Sequence, residues 1–114
     1  MHIVWLKKAD EILSKGISLD SIGVRNWALS REEALESLDQ FLYYNIPILG
    51  GDVCESENGV ITYNYDNWYC DRNLGESDAD FLVRSIQAAR DYIEKYNILN
   101  TNQILFVIVR ETGV

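Results

Sequence analysis

Four acidic residues carry most of the chemistry this sequence could offer: Asp52, Asp66, Asp71 and Glu76. Carboxylates can bind a hard cation, or serve as general acid and base when their surroundings push their pKa values apart. The spacing here follows no cation-binding loop. Turn acids that are solvated or bonded to nearby backbone are the commoner case. A hydrolase using Asp52 with Asp66 or Asp71 would need those groups to converge across a cleft, roughly 5–10 Å apart. Thiol chemistry has less support. Cys54 and Cys70 have one histidine to work with, His2, at the terminus where a positioned base is hardest to build. Two cysteines and a distant histidine also fall short of four zinc ligands. Neither a P-loop nor a GxGxxG is present. No catalytic residue, metal or cofactor is expected.

Asp52 closes a Gly50-Gly51-Asp52 corner. Paired glycines in a strand mark a bulge, or a place where another backbone or a ligand comes close. The same three letters open a diguanylate cyclase signature, but that signature continues Glu-Phe and here Val53-Cys54 follow. The corner leaves open a small regulatory or ligand-binding module. Trp27, Trp68 and Tyr69 stand beside polar residues. Such aromatics either anchor interfaces or close a small core with their polar tips bonded. The candidate partner-binding set is an acidic-aromatic rim of Asp52, Asp66, Tyr69, Asp71 and Glu76. Trp27, Gly50, Gly51 and Trp68 would support it.

The elements that must position this rim are legible in the patterning. Residues 4–15 read as a helix with Trp5, Ala9 and Ile12 on one side. Gly16 suits a left-handed helix stop, with Ile17 packing back on Ile12. Residues 18–27 read as irregular, with a short turn or strand. Ser30 and Glu33 form a capping box for a second helix ending near Asn45, ahead of Pro47. Residues 46–55 and 60–69 read as a hairpin about Asn58-Gly59. Ile61, Tyr63 and Tyr65 share one face of the returning strand. A tight turn there sets Cys54 opposite a residue near 63, which argues against a Cys54–Cys70 bridge. Ser77 caps a third, strongly amphipathic helix running Leu82, Ile86, Ala89, Ile93, Tyr96. After a loop over Asn97–Asn102, ILFVIV at 104–109 reads as a strand covered on both faces. The order α-α-β-β-α-β predicts a small α+β domain, 1–114. Its mixed sheet, the hairpin plus a C-terminal strand, is packed by about three helices, with an extra strand recruited from 24–29.

Ten Lys and Arg face eighteen Asp and Glu in 114 residues, a formal charge of −8. Nucleic-acid binding needs a basic footprint, so it is excluded as a role. An acidic surface suits a basic protein partner or serves solubility alone. No run of ~18 apolar residues occurs, so no membrane span is expected. The opening MHIVWLKKADEILSKG lacks the features of a leader, which points to the cytoplasm and reduced thiols.

One ordered set of motifs spans most of the chain. It runs Gly23-Val24-Arg25-Asn26-Trp27-Ala28-Leu29, Glu33-Ala34, and Ile46-Pro47-Ile48-Leu49-Gly50-Gly51-Asp52-Val53. Asn67-Trp68-Tyr69, Gly75-Glu76 and Arg84-Ser85 follow, then a hydrophobic strand. From Leu13 to Val109 this resembles the immunity protein 40 family of bacterial polymorphic-toxin systems. The Leu-Gly-Gly-Asp corner and the Asn-Trp-Tyr run are its most specific parts. The resemblance implies a cytoplasmic α+β inhibitor, not an enzyme, that binds and blocks a cognate toxin domain. A nuclease with a basic cleft is one toxin an acidic inhibitor would suit. The family motif assigns no toxin-contacting residues.

Overall fold

A computed structural model describes residues 2–98 and 103–112, with side chains from Lys7 onward. The side chains of His2 and Trp5, and residues 99–102 of the expected loop, lie outside it. Among the described residues the elements are α1 (His2–Leu13), β1 (Ile17–Ser18), a 3-10 turn (Asp20–Ile22), β2 (Trp27–Ala28) and α2 (Arg31–Tyr43). They continue as β3 (Ile48–Glu57), β4 (Val60–Tyr69), α3 (Asp78–Lys95) and β5 (Gln103–Arg110). The domain is α+β, as expected.

Local signals act where the sequence places them. Ser30 accepts the Glu33 N–H at 3.1 Å and Glu33 accepts the Ser30 N–H at 2.9 Å, a complete capping box. Ser77 likewise accepts the Asp80 N–H. Asn58 and Gly59 take φ of +52° and +82°, closing the hairpin with Glu57 opposite Val60. The end of α2 is more elaborate than a proline stop. Asn45 takes φ +58°, its N–H reaches Leu42 O, and the Ile46 N–H reaches Phe41 O. That is a Schellman motif with asparagine in the left-handed position, sealed by the buried Ile46 and Phe41.

Gly16 does not play that part. It is absent from the positive-φ residues, and Ile17 is exposed. A Cβ at Gly16 would lie closer than 3.0 Å to Ala28 O and to the Leu29 side chain. The glycine is required by a neighbouring backbone, one that only tertiary packing brings near.

The main sheet has the order β4-β3-β5, and both pairings are antiparallel. The expected mixed sheet is therefore corrected. β4 and β5 run the same way and α3 crosses between them, but β3 separates them, so no parallel ladder forms. β1 and β2 make a small antiparallel ribbon. Leu29 then exchanges both backbone hydrogen bonds with Phe106, and the Asn26 amide donates to Ile108 O at 2.9 Å. The segment expected to add a strand thus joins β5 through a single bridge.

The sheet divides two cores. Ala9, Ile12, Leu38, Phe41, Ile86 and Ile93 from the helices meet Ile48, Val53, Phe106 and Ile108 on one face. On the other, Leu19 and Ala28 cover Cys54, Leu105 and Val107, with Val24, Ile61 and Tyr63 packed partly buried beside them. Ile104–Ile108 are consequently buried on both sides of β5.

The third helix is pinned to the central strand by a polar contact. Ser85 is fully buried, and its hydroxyl accepts the Ile48 N–H at 3.1 Å and donates to Leu82 O. Ser85→Ala would strand that donor, so we expect a loss of about 1–3 kcal/mol. A lowered urea midpoint at constant m would show it; an unchanged midpoint would mean that another acceptor takes over.

Candidate functional site

β4 is an edge strand, and it is shaped by an insertion. Asp52 pairs with Asn67 and Cys54 with Tyr63, so Val53 alone faces Asn64, Tyr65 and Asp66. Tyr65 takes φ +71°, unusual for an aromatic residue. Its neighbours hold that conformation. The Asn64 side chain accepts the Asp66 N–H at 2.9 Å, and the Asn67 amide donates to Tyr65 O at 3.1 Å. Two extra residues preserve the alternation of faces. Asn64 and Asp66 turn toward the helices, where Tyr96 OH accepts from the Asn64 amide at 3.0 Å and donates to Asp66 at 2.6 Å. Burial, then the Asp66 hydrogen bond, pushes the Tyr96 phenol up to about 12. Tyr65 and Asn67 turn the other way.

The hairpin therefore has two functional-looking surfaces. On the open face, Asp52, Ile61, Tyr63, Tyr65 and Asn67 with Ile22 line a cleft of about 430 Å³. Toward the helices, Trp68 and Tyr69 meet Asp91, Tyr92 and Tyr96 in a groove of about 550 Å³. The Trp68 and Tyr92 rings stack at 4.8 Å.

The predicted rim residues divide among these places. Asp52 belongs to the open-face cleft. Asp66 faces Tyr96 and Tyr69 lines the groove, exposed at 77%. Asp71 is exposed in the loop after β4, and its carbonyl accepts from Arg84. Glu76 is taken up within the fold. Its side chain is 9% exposed, both oxygens accept from Arg84 at 2.8 Å, and it accepts the Asn73 N–H at 2.9 Å. The arginine, then that N–H, lower its carboxyl from an ordinary 4.5 to about 2. Arg84 also reaches Cys70 Sγ at 3.2 Å, so the whole loop is clipped to α3.

Of the supporting set, Gly50, Gly51 and Trp68 form one unit. Gly51 is buried opposite Trp68, and a Cβ there would lie closer than 3.0 Å to the indole and to Val107 O. Gly50, with φ +152°, leaves equally little room beneath Trp68 O. Trp27 is not part of it. It sits on β2, beyond β5, at the opposite side of the sheet from Trp68, and lines a surface hollow with Asp10 and Arg25. The two tryptophans therefore do not flank a pocket at the glycine corner.

Nor do Asp52 and Asp66 converge as hydrolysis would need, since they turn to opposite faces. Among the described residues no three His, Cys, Asp or Glu side chains are placed to hold a metal ion. Cys54 and Cys70 are separate buried thiols. Burial and then Asp52 push the Cys54 thiol up to about 11, the reverse of an activated nucleophile. Sequence reading missed Tyr63, Tyr65 and Asn67 as site residues. The alternation placed Tyr63 and Tyr65 on one apolar face, but it did not reveal that this face would be left half-covered.

The described residues thus form a small α+β domain with an open hairpin face in a chain of net charge −8. A family model described as immunity protein 40 matches residues 18–110, and the chain belongs to that family. Comparison with curated proteins and with solved structures finds no match. Among the described residues no helix is long and apolar enough to cross a membrane.

Proposed function

We propose that this protein protects a bacterial cell by binding a cognate toxin domain in the cytoplasm and blocking it, without catalysing a reaction. Membership of the immunity protein 40 family over residues 18–110 is the observation that carries this reading. The surface meeting the toxin is proposed to be built from Asp52, Tyr65, Asp66, Tyr69 and Asp71 on and beside β4. Gly50, Gly51, Trp68 and the Arg84–Glu76 clip give it a rigid base, which limits the entropy lost on binding. The net charge of −8 favours a toxin with a basic surface, as nucleases acting on a phosphate backbone have. An acidic inhibitor would both steer toward such a surface and occupy it.

The experiment is a pull-down of the tagged protein from its native lysate at low and high salt, followed by co-expression with any stoichiometric partner. Suppression of that partner's toxicity supports the reading. A partner that is harmless alone, or no partner at either salt, overturns it. Electrostatic blockade adds a second expected outcome. Affinity for the toxin, measured by titration calorimetry, falls several-fold as salt rises, because exposed charge pairs are screened. Affinity that is flat with salt would leave shape and apolar contact as the basis of inhibition.

A further inference from the structure

Asp52 differs from every comparable acid in the protein. Seven carboxylates among the described residues are half-buried, and six have partners. Asp10 faces Arg25, Glu33 the Ser30 N–H, and Glu55 the Asn64 amide. Glu76 holds Arg84, Asp91 accepts from Gln87, and Glu111 pairs with Arg72. Asp52 has neither a hydrogen bond nor an ion pair from its side chain among the described residues. Among the described residues the Asp52 oxygens are not sealed from solvent. A carboxylate that is neither enclosed nor engaged by the fold stands ready to pair with a cation brought by a partner.

The surroundings define that ligand. Asp52 shares its cleft with Tyr63 and Tyr65, and no lysine or arginine lines it. Burial raises the Cys54 thiol and the Tyr63 phenol most, and the nearby Asp52 charge adds to both. Tyr65 is 88% exposed at the rim, held there by the bulge. A carboxylate beside aromatic rings suits a planar guanidinium, which bonds the oxygens through its edge and stacks on the rings through its face.

We propose that this cleft receives an arginine side chain projecting from the toxin, paired with Asp52 and stacked against Tyr65. The proposal rests on the toxin-binding reading and names the chemistry of its central contact.

Two arms test it. In the first, the wild-type protein is titrated with N-acetyl-arginine methylamide, and with the neutral citrulline analogue as control, by ¹H–¹⁵N NMR. Amide shifts should cluster at Asp52, Ile61–Tyr65 and Asn67 with arginine. They should vanish with citrulline and in Asp52→Asn. Shifts that are scattered, absent, or shared by citrulline overturn the proposal. Asp52→Asn is nearly isosteric and breaks no intramolecular bond, so its melting temperature should match the wild type and exclude misfolding. In the second arm, Asp52→Asn and Tyr65→Ala should each weaken the toxin complex about tenfold or more, while Glu32→Gln, exposed at the start of α2, leaves it unchanged. A toxin that binds wild type and Asp52→Asn equally removes the arginine contact and leaves the immunity reading standing. Failure to recover any toxin removes the immunity reading, and the arginine titration still decides the cleft.

Discussion

Gly51→Ala should destabilise the protein by about 3 kcal/mol, at the upper end of ordinary overpacking costs. The added methyl would meet two obstacles closer than 3.0 Å: the Trp68 six-membered ring on one side and Val107 O on the other. Neither yields easily. The indole is stacked on Tyr92, and the carbonyl belongs to β5, hydrogen-bonded along β3. Small domains keep only about 5–15 kcal/mol in total, so such a loss is a large share. Urea unfolding of Gly51→Ala, Trp68→Leu and the double variant separates the two obstacles. Trp68→Leu removes the ring atoms but not the carbonyl. The double variant should therefore be more stable than the summed single losses by about 1–2 kcal/mol. A Gly51→Ala protein within about 0.5 kcal/mol of wild type would refute this account of the corner, since that is the range of inert surface substitutions.

Arg84→Met should release the loop between β4 and α3 and flatten the acid limb of stability. The guanidinium holds Glu76 through two hydrogen bonds at 2.8 Å, Cys70 Sγ, and the Asp71 carbonyl, while lying over Phe81 at 5.5 Å. Methionine keeps the stem and its apolar packing but removes every donor. Glu76 has a folded pKa of about 2, below its ordinary 4.5. A depressed carboxyl stabilises the fold above its ordinary pKa, and that contribution disappears as pH falls toward the folded value. Wild-type urea midpoints should decline between about pH 5 and pH 2. Arg84→Met should start lower at pH 7 and lose the Glu76 part of that decline. The Arg84 side of the pair is open to solvent, so salt should weaken the difference. Amide exchange in residues 70–77 should quicken in the variant while the centre of α3 stays protected. A parallel acid decline in both proteins would show that Glu76 is held by something other than Arg84.

These two effects explain why two sets of residues in the sequence motif, Gly50-Gly51 with Trp68 and Gly75-Glu76 with Arg84, include so few that are free to touch a partner. The corner is a seat for an indole, and Glu76 is committed to Arg84. The residues proposed to engage a toxin are those beside them: Asp52, Tyr65, Asp66 and Tyr69. Of these, Tyr65 was invisible as a site residue until the bulge was seen.

The sequence by itself determined the parts of this protein that depend on neighbours within a few residues. The Ser30–Glu33 box, the Ser77 cap, the Asn58-Gly59 turn and the apolar stripe of α3 are each written in one short stretch. Backbone hydrogen bonding and allowed φ decide them locally. The ordered motifs from Leu13 to Val109 also sufficed for the family. Tertiary structure alone decided the rest, because there the cause is a distant partner. The sheet is antiparallel because β3 lies between β4 and β5. Gly16 is a glycine because Ala28 passes over it, and Gly51 because Trp68 and Val107 do. The mirror of these cases is Asp52. Its sequence context resembles that of other acids, and only the fold shows that it is the half-buried one among the described residues to which no cation or donor was brought.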